Sequence, residues 1–195
     1  AHDSINACVD NLVMHMFSAS SDTSSLDVLD LQAHICMSDS VLSVPTLSIR
    51  MPRSHIDMSG IRFDQRDTTF SIPLNQIEVV PADLALLIPS CERLRKAVVV
   101  QGKVCSEEDM IQWEDLVVRY DGNRILDGDV CMRDIHTNPY LKTSLNELYV
   151  NMARLQDMLS QVKGHPVNLP KELLRLGDVR YTGKVLGYIH DLHLD

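Results

Sequence analysis

No apolar stretch in this sequence approaches the roughly 20 residues of a membrane-spanning helix. The best, residues 79–89, is interrupted by Asp83 and two prolines. Basic charge is also short: 18 Lys and Arg stand against 27 Asp and Glu, for a net charge of −9. That argues against nucleic acid as the main partner, because a phosphate backbone has to be met by Lys and Arg. The glycines fit neither Gly-x-Gly-x-x-Gly nor the P-loop spacing, so no nucleotide-binding loop can be placed. There is no Gly-x-Ser-x-Gly elbow, and no Cys has a Cys-x-x-Cys partner. The five cysteines (Cys8, Cys36, Cys91, Cys105, Cys131) are an odd set, the usage of a reducing compartment where Cys serves as a small buried hydrophobe. The first nine residues lack a basic region followed by an apolar run, so no signal peptide is expected. The expected location is the cytoplasm, or a particle assembled there.

What is present is an ordinary globular composition, 45% hydrophobic and 23% charged over 195 residues, enough for one domain with a real core. The most regular segment is 139–163. Leu141, Leu145, Leu148, Met152, Leu155, Leu159 and Val162 recur at spacings of four and three, the seam of a helix. Asn138-Pro139 reads as its start, and Gly164 followed by His165-Pro166 as its stop. Tyr149 and Met158 widen this seam, which favours packing on a sheet, with an intersubunit contact as the other use.

An N-terminal helix is expected over 3–17, with Ile5, Cys8, Val9, Leu12, Val13 and Met16 on one face, followed by a Ser-rich loop at 18–25. Leu29, Leu31, Ala33, Ile35 and Met37 alternate with polar residues, the period of a strand. Residues 46–51, bracketed by Pro45 and Pro52, read as an edge strand, and short strands follow at 61–64 and 68–72. Helical turns are expected within 81–97, then a strand from Val98, and a short helix capped at Ser106. Asp121-Gly122 and Asp127-Gly128 suggest two tight hairpins joining strands 115–120, 123–126 and 129–133. Residues 170–176 form a short helix closed by Gly177, and a terminal strand pair turns at Thr182-Gly183.

Candidate sites are few. Arg50, Arg53, Arg62 and Arg66 could gather around a small anionic ligand or peptide. His190 and His193 are the metal candidates, although residues three apart on a strand point to opposite faces. The segment 121–129 fails the calcium-loop pattern, which needs an oxygen ligand where Ile125 stands. Asp57-Met58-Ser59-Gly60-Ile61-Arg62-Phe63 resembles the Asp-x-Ser-x-x-Gly signature of PilZ domains, which would imply a β-barrel that binds a cyclic dinucleotide. Gly60 comes two residues early, Arg50 and Arg53 lie closer than the family's arginine motif, and the likeness spans seven residues.

The sequence therefore predicts a single α+β domain. It divides into an N-terminal helix and Ser-rich arm at 1–25, a mainly β region at 26–136, and the long helix with a C-terminal strand pair at 137–195. An antiparallel, meander-rich sheet would be covered by the two helices. The expected function is non-enzymatic: a structural or assembly subunit of a larger complex, for example a virus or phage particle, acting through other protein subunits and without membrane or cofactor. An adaptor using the arginine loop, or an enzyme with a non-local active site, are the alternatives.

Overall fold

A computed structural model describes residues 6–18, 27–85, 91–135, 137–188 and 191–194. Among them eleven strands follow one another: β1 (Asn6–Ser18), β2 (Asp27–Ser38), β3 (Val41–Arg50), β4 (His55–Asp64), β5 (Thr69–Val79), β6 (Val98–Glu107), β7 (Met110–Tyr120), β8 (Asn123–Arg133), β9 (Tyr140–Asn151), β10 (Asp178–Tyr188) and β11 (Asp191–Leu194). They make one sheet whose spatial order is the order of the chain, with every neighbouring pair antiparallel. A 3-10 turn, Pro81–Leu84, sits in the β5–β6 connection, and α1 (Met152–Lys163) and α2 (Lys171–Leu174) in the β9–β10 connection.

The α+β expectation is overturned, since the structure is mostly antiparallel strand, 64% against 13% helix, with only one helix of seven residues or more among the described residues. The segment 139–163 is strand up to Asn151 and helix only from Met152. Asn151 is the N-cap, its side chain accepting from the Arg154 amide at 2.9 Å, and Gly164, at φ 71°, ends the helix. Residues 6–18 are likewise strand, not helix.

Both errors have one cause. In β9 Leu145 and Leu148 are three apart, yet they meet Gly128 and Leu126 on one face of β8, because Asn146 is an extra residue in the ladder. In β1 Val9 and Leu12 meet Ile35 and Ala33, with Asp10 and Asn11 set against His34 alone, one residue extra. A bulge turns an odd spacing into a same-face spacing and so imitates a helix.

Other boundaries shift similarly. Residues 46–50 belong to β3, which is central, with Pro45 at a register shift where it withholds no ladder donor that is needed. The turn at Glu108 replaces the short helix after Ser106. Asp121-Gly122 is a hairpin turn with both residues at positive φ, whereas Asp127-Gly128 lies inside β8 and Thr182-Gly183 inside β10. The PilZ-like segment is part of β4 in an open meander.

Register shifts recur near mid-strand across the sheet, at Val9/Leu12, His34/Cys36, Leu74/Ile77, Gln101/Lys103, Trp113/Leu116, Asp127/Gly128 and Tyr181/Gly183. Bulges bend strands, so bends at one level in successive strands crease the sheet. The direction of the crease follows from burial beside it. Ala33, Leu145, Thr143 and Gly128 are buried on one face, while Thr46, Ser59, Asp129, Ser144 and Asn146 are exposed on the other. The apolar, more buried side of the creased sheet, the trough, runs about 48 Å across ten strand spacings of about 4.8 Å.

At Gly128, φ is 147° and an added Cβ would run into the Ser144 carbonyl; at Gly102 it would come within 2.7 Å of the Glu114 carbonyl. These two positions let adjacent backbones close at the crease.

Candidate functional site

The inner face of the trough is built by ladder rows of mainly apolar residues. Ile72, Val104, Trp113, Val130, Thr143 and Val185 run across six strands in register. Toward the other end Ala33, Leu47 and Met58 share the same face. The polar member of the long row is satisfied: Thr143 Oγ1 donates to the Val185 carbonyl and accepts from the Val185 amide at 3.0 Å. Among the described residues no side chain is fully buried, and only Ala33, Val80, Leu94 and Leu145 count as apolar core. The chain exposes 12936 Å², against about 9,300 Å² for a compact monomer of 22.0 kDa. Among the described residues, therefore, no second layer covers the inner face beyond one rim.

One rim is roofed. Helix α1 brings Leu155 and Met158 over Val98, Tyr120 and Val150, and with Pro81 and Leu94 they line a half-open, mostly apolar pocket of about 240 Å³. Burial pushes the Tyr120 phenol up, as an apolar wall requires. The roof is pinned by polar contacts outside the cavity. Arg93 Nη1 donates to the Gly164 carbonyl at 3.1 Å, tying the two connections together.

Ser54 Oγ donates to Asp83 Oδ2 at 2.6 Å and accepts from the Val80 amide at 2.8 Å. Arg53 supplies its amide to the same Asp83 oxygen at 2.8 Å and its Nε to Oδ1 at 3.4 Å. Asp83 is thereby a carboxylate with 1% exposure that is fully engaged. On the same rim Asn151 and Tyr149 donate to Asp178 Oδ1 at 2.6 and 2.9 Å. Both contacts hold its carboxyl below the ordinary value, Asn151 most.

The outer face is polar. A hollow of about 470 Å³ over β1–β5 is lined by Asp10, His34, Ser48, Asp57, Ser59 and Asn75, and it also reaches Ala33, Leu47 and Met58 in the sheet. Ser48, then His55 at 2.6 Å, keep the Asp57 carboxyl low. Beside this hollow Cys8 and Cys36, direct partners in the β1–β2 ladder, are joined as a disulfide, with His34 Nε2 3.2 Å from Cys36 Sγ. The expectation of five unpaired thiols is corrected here: Cys91, Cys105 and Cys131 are free, and the other two are bonded. Pairing could not be read from spacing, since the two lie 28 residues apart and meet only through the strand register.

The arginine candidates do not share one concavity. Arg50 and Arg53 line a hollow at one rim, whereas Arg62 and Arg66 line another at the opposite end of β4. His193 lies in β11 with Nε2 3.7 Å from Asp191, and His190 is outside the described residues. Leu141, Leu145 and Leu148 lie on the trough side of β9, and Met152, Leu155, Leu159 and Val162 belong to α1. Among the described residues, no helix is long and apolar enough to cross a membrane, a statement that does not bear on β-barrels. No family model matches this sequence, and no curated protein or solved structure matches it.

Proposed function

We propose that the trough is a binding module for an elongated apolar ligand, the acyl chain of a lipid. The observation that supports this is the row of apolar side chains on a single-layer face over which no described element is packed except α1 at one rim. An apolar face of this extent is a binding surface rather than an incidental one. The choice of hydrocarbon over an extended peptide follows from polar accounting. A peptide laid along this face would bury amides and carbonyls against side chains that offer no partner, at about 1–3 kcal/mol for each group. A hydrocarbon carries no such groups and gains about 0.8 kcal/mol per buried methylene.

Trp113, the only tryptophan, stands in the long inner row between Val104 and Val130 and reports on occupancy. Fatty acids brominated along the chain should quench its emission saturably, and Val104→Glu should weaken that quenching at least about tenfold, one buried charge against hydrocarbon being worth more than 1.4 kcal/mol. Quenching that is absent, or that is unchanged in a folded Val104→Glu variant, sinks this reading.

A second reading, assembly through protein contacts, is favoured by the β1 edge. This strand has a ladder partner on one side among the described residues and exposes Val9, Leu12, Val13 and Met14. Such an edge accepts another strand. Light scattering of wild type beside Val13→Lys tests it: an oligomer reduced to monomer supports assembly, and a monomer in both cases removes it.

A further inference from the structure

The β1–β2 ladder sets four ligand-bearing side chains on the outer face, independent of the trough. Cys8 and Cys36 are directly opposite, with Cα atoms 4.1 Å apart, and His34 is two residues before Cys36, hence on the same face. The bulge at Asp10 swings its carboxylate toward them, leaving Oδ1 3.5 Å from His34 Nε2, and that same nitrogen is 3.2 Å from Cys36 Sγ. The sulfur atoms of Cys8 and Cys36 and a ring nitrogen of His34 lie within 4.8 Å of one another.

We propose that Cys8, Cys36, His34 and Asp10 form a redox-gated site for one Zn²⁺ ion, closed as the disulfide and competent as the dithiol. Tetrahedral zinc with bonds of about 2.0–2.3 Å separates its ligand atoms by about 3.3–3.8 Å. The contacts through His34 Nε2 already approach those edges, so only the sulfur pair has to open. A small-molecule dithiol supplies the gate. Its thiolate attacks one sulfur, the protein disulfide breaks, and its second thiol displaces the mixed disulfide. Two electrons and two protons pass to Cys8 and Cys36, and the reagent leaves as its cyclic disulfide. Zinc then takes both sulfurs as thiolates, releasing their protons to water. Two thiolates, one imidazole and one carboxylate suit a borderline-soft ion better than calcium or magnesium, which require oxygen ligands.

The test uses the full chain, reduced with a dithiol, freed of reagent under argon, and titrated with Co²⁺ and then Zn²⁺. Expected are one equivalent of Co²⁺, thiolate-to-metal absorption, displacement by Zn²⁺, and no such signal from the oxidised chain. His34→Ala, which keeps the disulfide pair, should weaken binding at least about tenfold. Asp10→Asn should weaken it less and leave the absorption band. The proposal is overturned if the reduced chain keeps its far-UV β spectrum and binds no Co²⁺. It is equally overturned if Cys8→Ser binds as tightly as wild type, or if the reduced chain loses its β spectrum with metal present.

Discussion

The two halves of the sheet carry the same alternation and bury it differently. In β1–β5 the inner aliphatic residues other than Ala33, itself 6% exposed, are half-exposed or more, and Val9, Leu12, Met14 and Met37 exceed a third exposure. In β6–β10 the crease closes on Gly102 and Gly128, Leu145 and Thr143 fall to 6% exposure, and α1 roofs one rim. Alternation thus decides which face a side chain takes. How deeply it is buried is decided by how closely the neighbouring backbones approach at the crease and by what covers the rim.

Three sets of substitutions sharpen or break this contrast. The largest effect is expected at the crease glycines. Gly128→Ala would force a Cβ into backbone at positive φ and should cost about 3 kcal/mol, whereas Gly60→Ala, with its nearest atom a Pro73 side-chain carbon at 4.0 Å, should cost about 1 kcal/mol. Urea denaturation measures both, and equal losses would mean that the crease is no tighter in the second half. Next comes the aliphatic pair. Leu145→Ala should lose about 3 kcal/mol and Leu47→Ala about 1.5 kcal/mol, because the latter site is half-exposed before the change. Indistinguishable midpoints would remove the difference between the halves.

The smallest effect belongs to the rim of the second half. The folded Asp178 carboxyl is held below its ordinary 3.8 by Asn151 and then Tyr149. The stability it adds is present above that value and is lost as the pH falls through the folded one. Asp178→Asn should therefore differ from wild type at neutral pH and converge with it below pH 3.8. A gap that stays constant in acid would show that the contact is steric rather than ionic.

Much of the strand content was legible where no bulge intervenes. The alternation of β2 from Leu31 to Met37, whose register shift places the extra residue in β3, and the Asp121-Gly122 hairpin both stand in the sequence as they do in the sheet. The short helix before Gly177 was also readable. What was illegible lies at the bulges. A single extra residue at Asn146 made half of a strand look like half of a helix, and Asp10-Asn11 did the same for β1. The trough itself escaped notice for the same reason, since its crease is the line of those irregularities. The Cys8–Cys36 bond and the separation of Arg50 from Arg62 both depend on register, which periodicity alone does not supply.

Because spatial order follows chain order throughout, every strand finds its partners among its immediate predecessors and successors. No pairing waits for a distant segment to return, so the loop-closure entropy that slows most large β-sheets is small at each step. The molecule behaves energetically as a linear array, in which each hairpin is stabilised by the next and pairing can begin at any tight turn and spread both ways. A strand pair inserted or removed at such a turn would lengthen or shorten the array without rewiring it.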